Sequence, residues 1–171
     1  DYLFQPDKLF GDYDSGDRTF QCARRVDALK LWLAWKAHGD DGFAARIDHA
    51  VAMADHARGV IKNSAGSFAP VADTGFTNVV FVWVPPELRP LDLGQLTDEH
   101  RQQLHQLAPA IKARMQQAGD ALLGYQPVNG VNAFRLLTMS PAVTPADVEA
   151  ALNHLDHHAQ QVWDKQRLRT P

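Results

Sequence analysis

Thr77-Asn78-Val79-Val80-Phe81-Val82-Trp83-Val84, closed by Pro85-Pro86, is the stretch that decides the fold class. β-Branched and aromatic side chains pack well on a pleated surface. A continuous run of them stopped by two prolines reads as a buried strand. Downstream, residues 87–96 read as a loop. Leu104, Leu107, Ile111 and Met115 then recur at helical spacing, predicting a helix over residues 97–117. Pro109 lies inside it and should kink or split it, because proline lacks an N–H and clashes with the preceding turn. Two further strands follow, over 121–126 and 132–140, joined by a turn at Asn129-Gly130. The last helix has the clearest start. Thr144 can cap it, Pro145 fits its first turn, and Asp147 stands three residues after the cap. Its buried stripe should be Val148, Leu152, Leu155, Ala159 and Val162.

Upstream of the strand, Phe43, Ile47, Val51, Ala54, Ala57 and Ile61 make one apolar stripe on a helix over residues 43–63, followed by a short segment at 68–72. Over residues 24–38, Val26, Leu29, Leu31, Trp32, Leu33 and Trp35 surround most of another helix, which predicts burial within something large. Gly39-Asp40-Asp41-Gly42 marks a joint between these helices. Residues 1–20, rich in Asp, Gly and Ser, read as a loop. From residue 41 onward the order of helices and strands implies an open, mostly antiparallel sheet covered on one face by helices. Residues 1–40 do not fit that layer. The expected division is therefore 1–40, the end of a larger domain, and 41–171, a small carboxy-terminal α+β domain.

Composition narrows the function. The chain has 171 residues, is 45% hydrophobic, and carries a formal charge of −3. With a pI near 6.2 and no basic strip, nothing points to nucleic acid. The apolar run at 79–86 is far too short to cross a bilayer, and no secretory signal is visible. A lone cysteine, Cys22, excludes an internal disulfide framework and suits a reducing, cytoplasmic compartment. The start at Asp1 reads as an internal point of a longer chain, with a processed mature terminus as the alternative.

Several motifs occur in one order: Tyr2-Leu3-Phe4-Gln5-Pro6-Asp7-Lys8, Asp14-Ser15-Gly16-Asp17, Gln21-Cys22-Ala23-Arg24-Arg25-Val26-Asp27 and Leu29-Lys30-Leu31-Trp32-Leu33. Ala108-Pro109-Ala110-Ile111-Lys112-Ala113-Arg114-Met115, Gly124-Tyr125-Gln126-Pro127 and Asn132-Ala133-Phe134-Arg135 come later. Together they resemble the carboxy-terminal portion of group II pyridoxal-phosphate amino-acid decarboxylases, the group containing glutamate and cysteine sulfinate decarboxylases. The resemblance runs from Tyr2 to about Leu155. It implies an α/β fold of the aspartate-aminotransferase-like type (fold type I), here the end of the large domain plus the small domain, assembled as a homodimer or higher symmetric assembly. It also implies pyridoxal 5'-phosphate as cofactor and a small, acidic amino acid as substrate: glutamate, cysteine sulfinate or aspartate. Diaminobutyrate and aromatic substrates stay open.

One residue is conspicuously missing. The lysines are Lys8, Lys30, Lys36, Lys62, Lys112 and Lys165, and none follows a histidine in the Asn-Pro-His-Lys pattern by which the family anchors its cofactor. The resemblance places that lysine upstream of Tyr2. Its bearer is expected to be an upstream segment or a separate chain. The rival to the enzymatic reading is a non-catalytic remnant acting as a binding or regulatory partner.

Site residues follow from the same resemblance. Tyr2 matches the tyrosine that delivers a proton to the substrate Cα from a mobile loop, reaching the partner subunit's site; the plain alternative is an aromatic packed at a loop base. Arg135 alternates with Phe134 and Leu136 in an apolar strand. A buried guanidinium there needs a partner, and its planar fork suits a carboxylate. The matching arginine of glutamate decarboxylases contacts the substrate carboxylate; an interdomain salt bridge is the alternative. Gln21, Cys22 and Ala23 precede a helix start and match a turn that approaches the cofactor phosphate, although Ala23 stands where glycine is usual. His154, His157 and His158 lack zinc-ligand spacing and read as a solvated helix face, as do His49 and His56. Trp32, Trp35 and Trp83 read as core.

Overall fold

The computed structural model describes residues 26–168, and the chain divides into two compact units, residues 1–43 and 44–171. In the first unit, helix α1 (Asp27–Lys62) begins at Asp27, and its helical geometry breaks at Gly39 (φ 64°, ψ −177°). Only glycine occupies that backbone region without a Cβ clash, so the break falls where the Gly39-Asp40-Asp41-Gly42 sequence permits it. Phe43 stacks on Trp35 at 4.4 Å, and Trp35 Nε1 donates to Asp40 at 2.6 Å, tying the ends of the bend together. Among the described residues the preceding turns are left largely uncovered. Leu29, Leu31, Trp32, Leu33 and Trp35 are 46–56% exposed, because the described part of this unit offers little beyond Phe43 to cover them.

In the second unit, the remainder of α1 buries Ala50, Met53, Ala54, Ala57 and Ile61. This line differs from the expected stripe at its start, where Ile47 is half exposed and Val51 only partly covered. The three alanines let the helix approach its neighbours closely. Its backbone is held directly, as Thr138 Oγ1 donates to the Ala50 carbonyl at 2.8 Å.

Strands β1 (Phe68–Ala72), β2 (Asn78–Trp83), β3 (Gly124–Val128) and β4 (Val131–Leu137) form one antiparallel sheet in the order β1-β2-β4-β3. The predicted strand of valines is β2, central in the sheet and buried from Val79 to Trp83. The strand expected at 121–126 instead begins at Gly124. Pairing is set by the two-residue turn at Asn129-Gly130, both with positive φ (50° and 82°), which brings Val128 opposite Val131. Pro70 and Pro127 both lie on edge strands, where a missing N–H leaves no gap in the ladder.

Helix α2 (Asp98–Ala118) is capped by Thr97, whose hydroxyl accepts from the His100 N–H. Contrary to expectation, Pro109 does not split it. Proline at 109 removes the donor that would have satisfied the His105 carbonyl four residues earlier. Asn132 supplies a replacement from β4. Its buried side-chain amide donates to that carbonyl at 2.7 Å. Helix α3 (Pro145–Arg167) starts with a full capping box between Thr144 and Asp147.

The helices pack on the sheet face that carries Phe81 and Phe134. Asn132 on that face reaches α2, Trp83 donates to Asp156 of α3 at 2.7 Å, and Lys112 of α2 lies over the Tyr125 ring. Phe81 contacts Phe68 and Phe134 at centroid distances of 5.5 and 6.0 Å, and the three form the aromatic centre of the core. Leu88, Leu91, Leu93 and Leu96 of the loop after β2 pack against its margins. Trp83 is core as expected, whereas Trp32 and Trp35 are not.

Of the histidines read as a solvated face, His154 and His157 are exposed but His158 is buried, because it meets Asp120 at 2.6 Å and joins the end of α2 to α3. His49 is half-buried and donates to the Val143 carbonyl, and His56 contacts Glu149 at 2.9 Å. Among the described residues no cluster could hold a metal ion, and no helix is long and apolar enough to cross a membrane.

Four outcomes test this account. Asn132→Ala should destabilise the purified protein by about 1–3 kcal/mol by orphaning the His105 carbonyl. Pro109→Ala should recover part of that loss in the Asn132→Ala background, because it restores the backbone donor; additive losses in chemical denaturation would refute the pairing. Phe134→Ala should cost about 3–5 kcal/mol. The hydrogen bond from His158, then the nearby imidazoles, hold Asp120 below its ordinary value of 3.8 despite opposing desolvation, and the Thr144 hydrogen bonds do the same for Asp147. Groups with a lowered folded-state pKa stabilise above the unfolded value and lose that contribution as pH falls through the folded one. Asp147→Asn should therefore lower the thermal midpoint at neutral pH, and the difference should vanish in acid well below 3.8.

Candidate functional site

Alternation along β4 places Asn132, Phe134 and Leu136 toward the helices and Arg135 on the opposite face. The register puts Arg135 between Val80 of β2 and Gly124 of β3. Val80 is buried and forms an apolar wall on one side. On the other, Gly124 has no side chain, and a Cβ placed there would meet nothing within 4 Å. The guanidinium therefore borders open space.

This corrects one expectation: Arg135 is exposed, not buried, and its partner is not a carboxylate. Nη1 donates to Oε1 of Gln126 at 3.1 Å. Gln126 pairs with Ala133, so it stands diagonally across from Arg135 on the same face. Among the described residues no ion pair engages Arg135, and the interdomain salt bridge does not occur within them. The amide orients the fork without cancelling its charge, leaving a full positive charge and further N–H groups for an incoming anion.

The motif Gly124-Tyr125-Gln126-Pro127 was visible in the sequence, but no role for Gln126 could be read from it. The signal lies in the pairing across the Asn129-Gly130 turn, which aligns Gln126 with Arg135. Tyr2, Gln21, Cys22 and Ala23 lie outside the described residues.

A cleft of about 730 Å³ lies along β1 and α1, lined by Ile61, Phe68, Val71 and Leu91 among others, and a second of about 600 Å³ lies between α1 and α3 around His56 and Asn153. Arg135 lines neither. It stands exposed on the sheet face opposite Phe134.

Pyridoxal phosphate needs a lysine for covalent attachment and donors for its phosphate. The described residues do not fit that need. Lys30, Lys36, Lys62 and Lys165 are exposed, Lys30 being paired with Asp27 and Lys36 lying over Trp32. Lys112 is half-buried against Tyr125. What the described residues do fit is a carboxylate, at Arg135.

Comparison with known proteins agrees with the motif pattern. The pyridoxal-dependent decarboxylase conserved domain matches residues 1–84. The chain is 42% identical over 157 residues to acidic amino acid decarboxylase GADL1 of Bos taurus, covering 91% of this chain and 29% of that protein. It is also 42% identical over 164 residues to cysteine sulfinic acid decarboxylase of Homo sapiens, covering 94% of this chain and 32% of the relative. The crystal structure of mouse CSAD superposes with a TM-score of 0.72 at 40% identity, over 92% of this chain and 32% of that one. The chain thus spans about a third of the length of these relatives. Its sheet, its helices and the ordered motifs from Tyr2 onward share one origin with theirs, and the chain belongs to the group II pyridoxal-dependent decarboxylase family, of which it represents a carboxy-terminal portion.

Proposed function

We propose that this chain forms part of a pyridoxal-phosphate-dependent α-decarboxylase that acts on a small acidic amino acid, releasing carbon dioxide and the corresponding amine. The observation that carries the reading is Arg135: an exposed guanidinium on the sheet face opposite Phe134, oriented by a neutral amide, in a chain 42% identical to an acidic amino acid decarboxylase and a cysteine sulfinic acid decarboxylase. Glutamate, cysteine sulfinate and aspartate are the substrates considered, the relatives' names favouring the acidic class.

When bound, pyridoxal phosphate supplies the electron sink for loss of the carboxylate. Its anchoring lysine belongs to an upstream segment or a separate chain. Residues 1–40 close the large domain and residues 41–171 form the small one. Arg135 binds a substrate carboxylate through its fork and so fixes the substrate's orientation. Tyr2 gives a proton to Cα once carbon dioxide has left, and its loop excludes water during that step. Gln21, Cys22 and Ala23 would hold the cofactor phosphate. A dimer, in which Tyr2 serves the partner's site, completes the assembly.

The test is carbon dioxide and amine release from L-cysteine sulfinate, L-aspartate and L-glutamate by the holoenzyme containing these residues. Turnover of none of the three would remove the acidic-substrate reading, and a particle that binds no pyridoxal phosphate would favour the regulatory remnant. Arg135→Ala should raise KM for an acidic substrate roughly ten- to a hundredfold, the loss of a charged hydrogen bond; lowered thermal stability with unaltered kinetics would assign Arg135 to structure. Tyr2→Phe should still release carbon dioxide while the yield of normal amine falls, and an unchanged yield would refute the proton-donor role.

A further inference from the structure

We propose that Gln126 is a positioning residue, which holds the Arg135 guanidinium for the substrate carboxylate while leaving its charge uncancelled. The inference rests on the substrate role proposed above for Arg135 and extends it to a residue that does not itself need to touch the substrate.

Three observations on the sheet support it. First, the contact from Arg135 Nη1 to Gln126 Oε1 is 3.1 Å and links neighbouring strands on the same face. Second, both side chains are exposed, so the hydrogen bond contributes little to holding the core together. Third, among the described residues no other hydrogen bond or ion pair braces Arg135. Val80 is apolar and Gly124 bears no side chain. An arginine side chain left unsupported in open space samples many rotamers, and ordering it on binding costs conformational entropy. One hydrogen bond to a fixed neighbour in the sheet reduces that cost in advance.

The choice of an amide matters chemically. A carboxylate at position 126 would hold the fork at least as firmly, through a charge-assisted contact. It would also compete with the substrate for the same N–H groups and offset the charge that attracts it. An aliphatic side chain would leave the charge intact but the fork unheld. Glutamine combines an acceptor with zero net charge.

The proposal is tested in the holoenzyme by comparing Gln126→Leu, Gln126→Glu, Arg135→Ala and the Gln126→Leu/Arg135→Ala double variant. The readouts are KM and kcat for L-cysteine sulfinate, and the calorimetric Kd of glutarate, a dicarboxylate without the amino group needed for turnover. Gln126→Leu should raise KM and Kd roughly three- to tenfold, the weight of one neutral hydrogen bond, with kcat little changed. Gln126→Glu should raise both further, because its charge competes with the ligand. In the Arg135→Ala background, Gln126→Leu should change neither value. Thermal midpoints of the two single Gln126 variants should match the parent.

If both Gln126 variants keep the parental KM and Kd while Arg135→Ala raises them, positioning by Gln126 is refuted and the substrate role of Arg135 survives. An effect of Gln126→Leu that persists without Arg135 also overturns the proposal, since it would act by another route. If Arg135→Ala itself changes neither KM nor Kd, the earlier reading of Arg135 fails and this inference falls with it.

Discussion

The hydrogen bond from the Asn132 side chain to the His105 carbonyl couples the two elements that organise the domain. A proline inside α2 leaves a carbonyl without its helical donor, and a buried amide facing it needs an acceptor. Asn132 meets that need only if its side chain faces α2. Strand alternation then sends Phe134 into the aromatic core and Arg135 to the far face. Backbone chemistry in a helix thus dictates which way a strand presents its charge. The Asn129-Gly130 turn enforces the same choice from the other direction. A one-residue slip would exchange the two faces of β4, burying a guanidinium and exposing a phenylalanine.

That division of labour gives the sheet two distinct sides. The side under α2 and α3 is aromatic and is crossed by polar contacts: Trp83 with Asp156, Asn132 with His105, His158 with Asp120. On the other side Arg135 stands free of acidic neighbours among the described residues, with Gln126 as its support. A charge engaged by a fixed carboxylate has little left to offer a ligand, whereas one steadied by an amide keeps its attraction and loses some of its disorder. The open backbone at Gly124 leaves room for what arrives.

The first unit leaves much of its apolar surface open. The apolar residues of the first turns of α1 are about half exposed within their own unit, and the chain spans roughly a third of its relatives' length. Both an exposed guanidinium steadied by an amide and a helix with more apolar surface than its described unit covers leave groups open to further contact.

Much of this was legible from residue types. The valine-rich run had to be a buried strand, Asn129-Gly130 had to turn, Thr144 and Asp147 had to cap α3, and the ordered motifs placed the chain in its family. These are local preferences, expressed whatever surrounds them. Other features depended on tertiary partners. Pro109 looked like a helix break until Asn132 replaced its missing donor from another element. His158 looked solvated until Asp120 closed over it from the end of α2. Arg135 looked buried because its neighbours are apolar, yet beside it Gly124 carries no side chain and the guanidinium reaches open space. The sequence by itself determined the elements, their caps and turns, and the family. Only the tertiary structure decided which face of β4 met the helices and hence that Gln126 steadies Arg135, because both depend on contacts between residues far apart in the chain.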